Sequence, residues 1–242
     1  EVIDPFSIEK IEKNKLNIFN ISNKSKALQI LKQLEFSNII ANKTKLDLIT
    51  MPINKSLIKK KIIFNGITEY LSKINNKPTF MLMHGENFSV IPYTTHINPK
   101  YISKNINKRK LNIFFRNLFL TLNKTKYIKF SKIVFICYNP HCGESGKLGK
   151  EDILVNSIIK KNKYDIEIKP SDSAFLNYKK NTLFISTYHD QCLIPFKILN
   201  KKGINITLGL NYRRLSPAHG TAADIIYKNK ADNTSFLECM KI

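Results

Sequence analysis

Arginine is scarce in a chain that is otherwise strongly basic. Its 242 residues carry 40 Lys+Arg against 18 Asp+Glu, a formal charge of +22, yet the only arginines are Arg109, Arg116, Arg213 and Arg214. Nucleic-acid readers lean on arginine, whose planar fork makes paired hydrogen bonds, and no binding module is visible here. The lysines are spread evenly among abundant Asn and Ile, so the charge reads as compositional bias and no nucleic-acid partner is expected. Only the charge itself favours such a binder, which would release its partner steeply with salt. Long apolar runs are missing too: none approaches the ~18 residues of a membrane span, and no membrane contact is expected. The four cysteines, Cys137, Cys142, Cys192 and Cys239, form no CxxC pair. With no secretory signal in view they read as reduced thiols of a cytoplasmic protein, without disulfides. Glycine signatures for nucleotides are also absent. No GxGxxG occurs, and the loop Gly143-Glu144-Ser145-Gly146-Lys147-Leu148-Gly149 misses the P-loop at His141 and Leu148.

What is present belongs to a globular chain: 43% hydrophobic residues with 15 Phe and 10 Tyr, enough for one large α/β domain or two small lobes. "SKALQILKQLEF" has helical spacing, and "KLDLITMPINKSLI" reads as a strand passing through Pro52 into a loop. "PTFMLMHGENFSVIPYTTHINP" predicts two strands around the turn His84-Gly85-Glu86-Asn87. The stretch 101–124 predicts one amphipathic helix with Ile102, Ile106, Ile113, Leu118 and Leu122 on its apolar face. A strand from Lys132 to Tyr138, a Gly-punctuated loop, and a helix with Ile153, Leu154, Ile158 and Ile159 follow; "NTLFISTYHDQ" and "KGINITLGL" add strands. Strands separated by helices predict a largely parallel, helix-covered sheet.

Three of these strands deliver a histidine at the carboxyl end: His96, His141 and His189. In open α/β sheets that edge forms the ligand crevice. Three neutral imidazoles there suit a metal ion with open positions for a substrate oxygen. Each would equally serve as a strand cap bonded to a loop. Asp172, Asp190 and Lys197 stand near the same edge and suit proton transfer and anion binding, or ordinary surface pairing. The Gly-rich loop before the helix could expose N–H groups to an anion.

The fragments "DLITMPINKSLI", "NGITEYL", "PYTTHINP", "NPHCGESGKLGKED", "PSDSAF", "YHDQCLIPFK", "GINITLGL" and "HGTAADI", in this order, resemble the 4-hydroxythreonine-4-phosphate dehydrogenase family of pyridoxal phosphate biosynthesis. The likeness runs from about Asp47 to the end of the chain. It implies an isocitrate/isopropylmalate dehydrogenase-like α/β fold, with two α/β/α lobes, the cleft between them, and a homodimer whose sites draw on both subunits. The lobes would be 1–66 plus 215–242, and 67–214 with the metal-binding histidines. The resemblance implies that His96, His141 and His189 hold a divalent metal, Zn2+ first, with Mg2+ or Co2+ as alternatives. It implies substrate contacts from Thr68, Lys197, Asn205 and Arg214, base or phosphate roles for Lys197 and Asp172, and contacts from His219, Gly220, Thr221 and Ala222 to NAD or NADP. The implied reaction is NAD-dependent oxidation of 4-phosphooxy-L-threonine at C3, followed by decarboxylation.

Three departures accompany the likeness. Ile67 stands where the family's GHTE segment has a substrate-contacting histidine, and Ala218 where it usually has Asp. Its opening strand and GDPxGIGPE loop have no counterpart. The chain begins at Glu1 rather than Met, so a truncated or processed chain with an incomplete first lobe is expected. A paralogue acting on threonate or erythronate phosphate, or an inactive remnant, would also fit these departures.

Overall fold

A computed structural model describes residues 2–3, 14, 17–22, 25–54, 58 and 64–242. Lys55 to Leu57, in the expected loop after Pro52, lie outside the described residues. Strands β1 (Val2–Ile3) and β2 (Ile18–Phe19) pair with each other in parallel. The other eight are β3 (Leu48–Ile49), β4 (Phe80–Gly85), β5 (Phe88–Thr94), β6 (Lys132–Ile136), β7 (Glu167–Lys169), β8 (Thr182–Tyr188), β9 (Gly203–Leu208) and β10 (Arg214–Pro217). They form one mixed sheet in the order β3-β10-β9-β4-β5-β8-β6-β7. The described α-helices are α1 (Lys26–Thr44), α2 (Ile67–Asn75), α3 (Ile102–Asn105), α4 (Lys108–Lys124), α5 (Glu151–Lys161), α6 (His189–Leu199) and α7 (Thr234–Cys239).

The parallel arrangement expected from the sequence holds for β5, β8, β6 and β7. In the other half β4 runs antiparallel to both β5 and β9, and β9 to β10, while β3 at the edge pairs with β10 in parallel. The cause is local: only Glu86 and Asn87 separate β4 from β5, and so tight a hairpin joins only antiparallel strands.

Alternate residues of each strand feed opposite cores. Phe80, Leu82, Phe135, Leu183 and Ile185 meet Leu111, Phe115 and Leu118 of α4 and Val155, Ile158 and Ile159 of α5. Met81, Met83, Val134, Ile136 and Phe184 face the other way, against Leu193 and Phe196 of α6. Burial on both faces is why these strands read as unbroken apolar runs. Leu31 and Leu34 of α1 close a third cluster with Ile58, Phe64 and Leu71.

Several expectations need correction. The single helix over 101–124 is a 3-10 turn, α3 and α4, split at Ile106-Asn107. The Asn107 side chain accepts from the Lys110 N–H at 3.0 Å and starts a new helix. Its buried stripe is Leu111, Phe115 and Leu118, leaving Ile113 43% exposed. Pro195 lies inside α6, a helix the sequence did not announce. Cys137 and Cys142 are not free thiols but a disulfide with Cα atoms 5.1 Å apart. The backbone turns left-handed at His141 and Cys142, which brings the second sulfur back onto the end of β6, and stays so through Gly143, Glu144 and Ser145. Cys192 and Cys239 are free and buried.

The sheet runs without a break across the expected lobe boundaries, β10 itself spanning 214/215. Among the described residues no helix is long and apolar enough to cross a membrane.

Candidate active site

Strands β5 and β8 are parallel neighbours with Thr94 opposite Tyr188, so the residues just beyond them emerge side by side. Thr94 Oγ1 donates to the Thr187 carbonyl at 2.7 Å and ties the two ends together. His96 and His189 follow, with ring centroids 5.7 Å apart. Each imidazole has a carboxylate at Nδ1: Glu69 Oε1 lies 3.1 Å from His96, and Asp190 Oδ1 lies 2.6 Å from His189. An N–H at each Nδ1 leaves Nε2 bare, the tautomer that binds metals.

The opposite wall comes from α2, β9 and β10. Thr68, in the first turn of α2, is buried with its Oγ1 3.2 Å from Thr207 Oγ1. Arg214, at the start of β10, is only 2% exposed. Its guanidinium donates to Thr50 Oγ1 from Nε at 3.0 Å and from Nη2, and to Thr207 Oγ1 from Nη1 at 3.2 Å. Among the described ion pairs none includes Arg214. Burial pushes this guanidinium down to about 10, with Tyr212, Cys239 and Glu69 opposing the fall. A buried cation whose partners are neutral hydroxyls is incompletely satisfied, and an anionic group would complete it.

Together these residues enclose a cavity of about 310 Å³, lined by Thr68, Glu69, His96, His189, Lys197, Asn205 and Arg214, with Ile67 and Ala218 among its other walls. His219, Gly220 and Thr221 also line it, whereas Ala222 begins the next short turn. Asn205 Oδ1 and Glu69 Oε2 are the two described buried side-chain atoms without a hydrogen-bond partner, and both residues line this cavity. Native interiors seldom leave such groups unpaired unless a ligand or water serves them. Burial disfavours the charged form of Glu69, but the hydrogen bonds and charge of His96 and the Thr95 hydroxyl outweigh it and hold the carboxyl at about 2.

Two expected residues stand apart. His141 lines a separate, open cavity of about 760 Å³ beside Cys142, Asp152 and Tyr164. Asp172 is exposed in the turn after β7 and is not among the residues lining the histidine cavity. Accordingly, no group of three or more His, Cys, Asp or Glu among the described residues of one chain is placed to hold a metal ion. A larger cavity of about 630 Å³, beside Lys45, Lys124 and Arg213, contains none of the expected site residues.

Glu69 and Asp152 went unnoticed in the sequence. Asp152, 3% exposed, accepts from the backbone N–H groups of Tyr138 and Asn139 at 2.7 and 2.9 Å and anchors the turn that carries His141. Both acids lie in the first turn of a helix, and Glu69 stands three residues after the N-cap Gly66, a spacing that marks helix starts.

The family model described as Pyridoxal phosphate biosynthetic protein PdxA matches residues 6–242. The chain is 37% identical over 207 residues to a 4-hydroxythreonine-4-phosphate dehydrogenase of Aquifex aeolicus (strain VF5), covering 81% of this chain and 63% of that protein. It is 39% identical over 192 residues to one of Hydrogenobaculum sp. (strain Y04AAS1), covering 76% and 60%. The chain thus spans less than two thirds of the length of both relatives, on the 63% and 60% covered. A crystal structure of 4-hydroxythreonine-4-phosphate dehydrogenase from Klebsiella pneumoniae superposes with a TM-score of 0.73 at 25% identity, over 96% of this chain and 80% of that one.

Proposed function

The chain belongs to the Pyridoxal phosphate biosynthetic protein PdxA family, and from that premise we propose that it is an NAD-dependent 4-hydroxythreonine-4-phosphate dehydrogenase. It would oxidise 4-phosphooxy-L-threonine at C3 and release carbon dioxide to give 3-amino-2-oxopropyl phosphate, for pyridoxal 5'-phosphate synthesis. The observation that carries this is the cavity: two carboxylate-backed imidazoles face a buried Arg214 that is in none of the described ion pairs, with Lys197, Thr68 and Asn205 around it.

Nε2 of His96 and His189 would supply two ligands to a divalent cation, Zn2+ first and Mg2+ or Co2+ next. Two imidazoles make an incomplete set, and His141 of a second copy is the third. Exposed apolar side chains support such a homodimer. Ile194 and Ile198 on α6 are 60% and 73% exposed, and Leu148 and Leu176 near His141 and Asp172 are 50% and 63% exposed. A second copy covering them would carry His141 and Asp172 toward its neighbour's cavity. A bound cation would supply Lewis-acid polarisation of the substrate hydroxyl, and a bound nicotinamide the hydride acceptor.

The chain's own residues do the remaining work. Arg214 and Lys197 hold the phosphate or carboxylate by charge-assisted hydrogen bonds. Thr68 and Asn205 orient the polar backbone of the substrate, and Lys197 or Asp172 moves the hydroxyl proton. His219, Gly220, Thr221 and Ala222 hold NAD, or NADP in its place. With no membrane or nucleic-acid partner required, the proposed setting is the cytoplasm.

Purified chain mixed with Zn2+, NAD and 4-phosphooxy-L-threonine should generate NADH absorbance. A cation-loaded dimer that yields none would refute the activity. Ile67 favours a second test, because it puts an apolar wall on the cavity where the family's histidine contacts substrate. Faster NADH formation with threonate or erythronate phosphate would reassign the substrate to that paralogous class.

A further inference from the structure

We propose that Glu69 is the positioning residue of this site, fixing which nitrogen of His96 faces the cavity; the proposal rests on the metal-binding role argued above. Two elements meet at one carboxylate oxygen. Glu69 Oε1 accepts from Thr95 Oγ1 at 2.9 Å and lies 3.1 Å from His96 Nδ1, so the loop after β5 and the first turn of α2 are locked through it. A proton held on Nδ1 leaves Nε2 as the lone-pair nitrogen, and the ring cannot flip without losing its contact with Glu69, whose Oε1 the Thr95 hydroxyl also holds.

The second oxygen shows how tightly the carboxylate is seated. Oε2 is buried and has no hydrogen-bond partner, which a freely rotating side chain would avoid by turning to solvent. It sits where residue 66 has no side chain: a Cβ on Gly66 would lie 2.4 Å from Glu69 Oε2 and 3.2 Å from His96 Cε1. Gly66 has φ −176°, extended backbone open to any residue, so its requirement is for space. Asp190, which meets His189 in the same way, is 72% exposed and lacks this confinement. The two histidines therefore differ: His96 is held from within the fold, and His189 by a carboxylate at the surface.

The test uses the full chain as a dimer, with ring-nitrogen NMR of the histidines and calorimetric titration of Zn2+. The wild type should show His96 protonated on Nδ1. Glu69→Ala should abolish that preference and weaken Zn2+ binding by about 10- to 100-fold, the usual cost of losing a carboxylate behind a metal-bound histidine. Glu69→Gln keeps an oxygen acceptor and should restore both to within a few-fold of wild type. Gly66→Ala, whose Cβ would displace the Glu69 carboxylate without removing it, should shift the tautomer in the direction of Glu69→Ala. An unchanged His96 tautomer and Zn2+ affinity in Glu69→Ala, or a Glu69→Gln variant as impaired as Glu69→Ala, would overturn the proposal. If the wild type takes up no Zn2+, the metal-binding reading fails by itself and the tautomer decides: Nδ1 protonation lost in Glu69→Ala upholds Glu69's role, and an unaltered tautomer refutes it.

Discussion

Strands β8 and β6 are parallel neighbours, each followed by a histidine, yet they send those histidines to different cavities. After β8 the chain enters α6 at once, with Tyr188 as N-cap and His189 as the first helical residue. The imidazole stays at the sheet edge beside His96. After β6 the chain turns left-handed for five residues, closes the Cys137–Cys142 disulfide, and bonds back to Asp152 through the N–H groups of Tyr138 and Asn139. His141 leaves the edge on that turn. A strand end fixes where the chain departs from a sheet, but the next few backbone angles decide which cavity a side chain enters.

The difference between the two histidines predicts separable losses. The largest follows His141→Ala: Zn2+ uptake by the dimer should fall below calorimetric detection, although His141 is not among the residues lining the His96–His189 cavity of its own chain. Retained wild-type affinity would place His141 outside the site. Next comes Arg214→Ala, which should leave Zn2+ binding intact while weakening inorganic phosphate about 10- to 100-fold, as expected for ~1.5–3 kcal/mol of charged hydrogen bonding. Equal loss of both ligands would mean that the cavity had collapsed.

A smaller effect concerns acid stability. The Glu69 carboxyl is held at about 2 rather than its ordinary 4.5, so the fold favours its ionised form. That stabilisation is complete above the ordinary value and disappears as pH falls from there toward about 2. Glu69→Gln should flatten the metal-free protein's melting-temperature profile across that window, and an unaltered acid limb would contradict the His96–Glu69 pairing. Least of all, Asp190→Asn should change stability by less than about 0.5 kcal/mol in chemical denaturation, because exposed pairs contribute little.

Much of the architecture was legible because it is written in local chemistry. The β4–β5 hairpin follows from its two-residue turn, and the pairing of His96 with His189 from apolar runs ending at the same edge. Lys197 could be read from its place near a strand end, but Thr68, Asn205 and Arg214 were reached only through family resemblance; nothing in their spacing announces a cavity formed by α2, α6, β9 and β10. The hidden features depend on contacts distant in sequence or on unusual backbone. Pro195 disguised α6, the shift from Ile113 to Leu111, Phe115 and Leu118 depended on which side of α4 the sheet lies, and a disulfide between cysteines without CxxC spacing needed the left-handed turn to bring them together.

Mixing purified His96→Ala and His141→Ala chains, then titrating Zn2+, addresses the shared site most directly. Neither variant alone should bind, but random pairing in a two-fold dimer leaves one complete site in each mixed dimer, restoring about a quarter of the wild-type Zn2+ capacity. No recovery from the mixture, with mixed dimers demonstrably formed, would contradict a site built from His96 and His189 of one chain and the His141 of another.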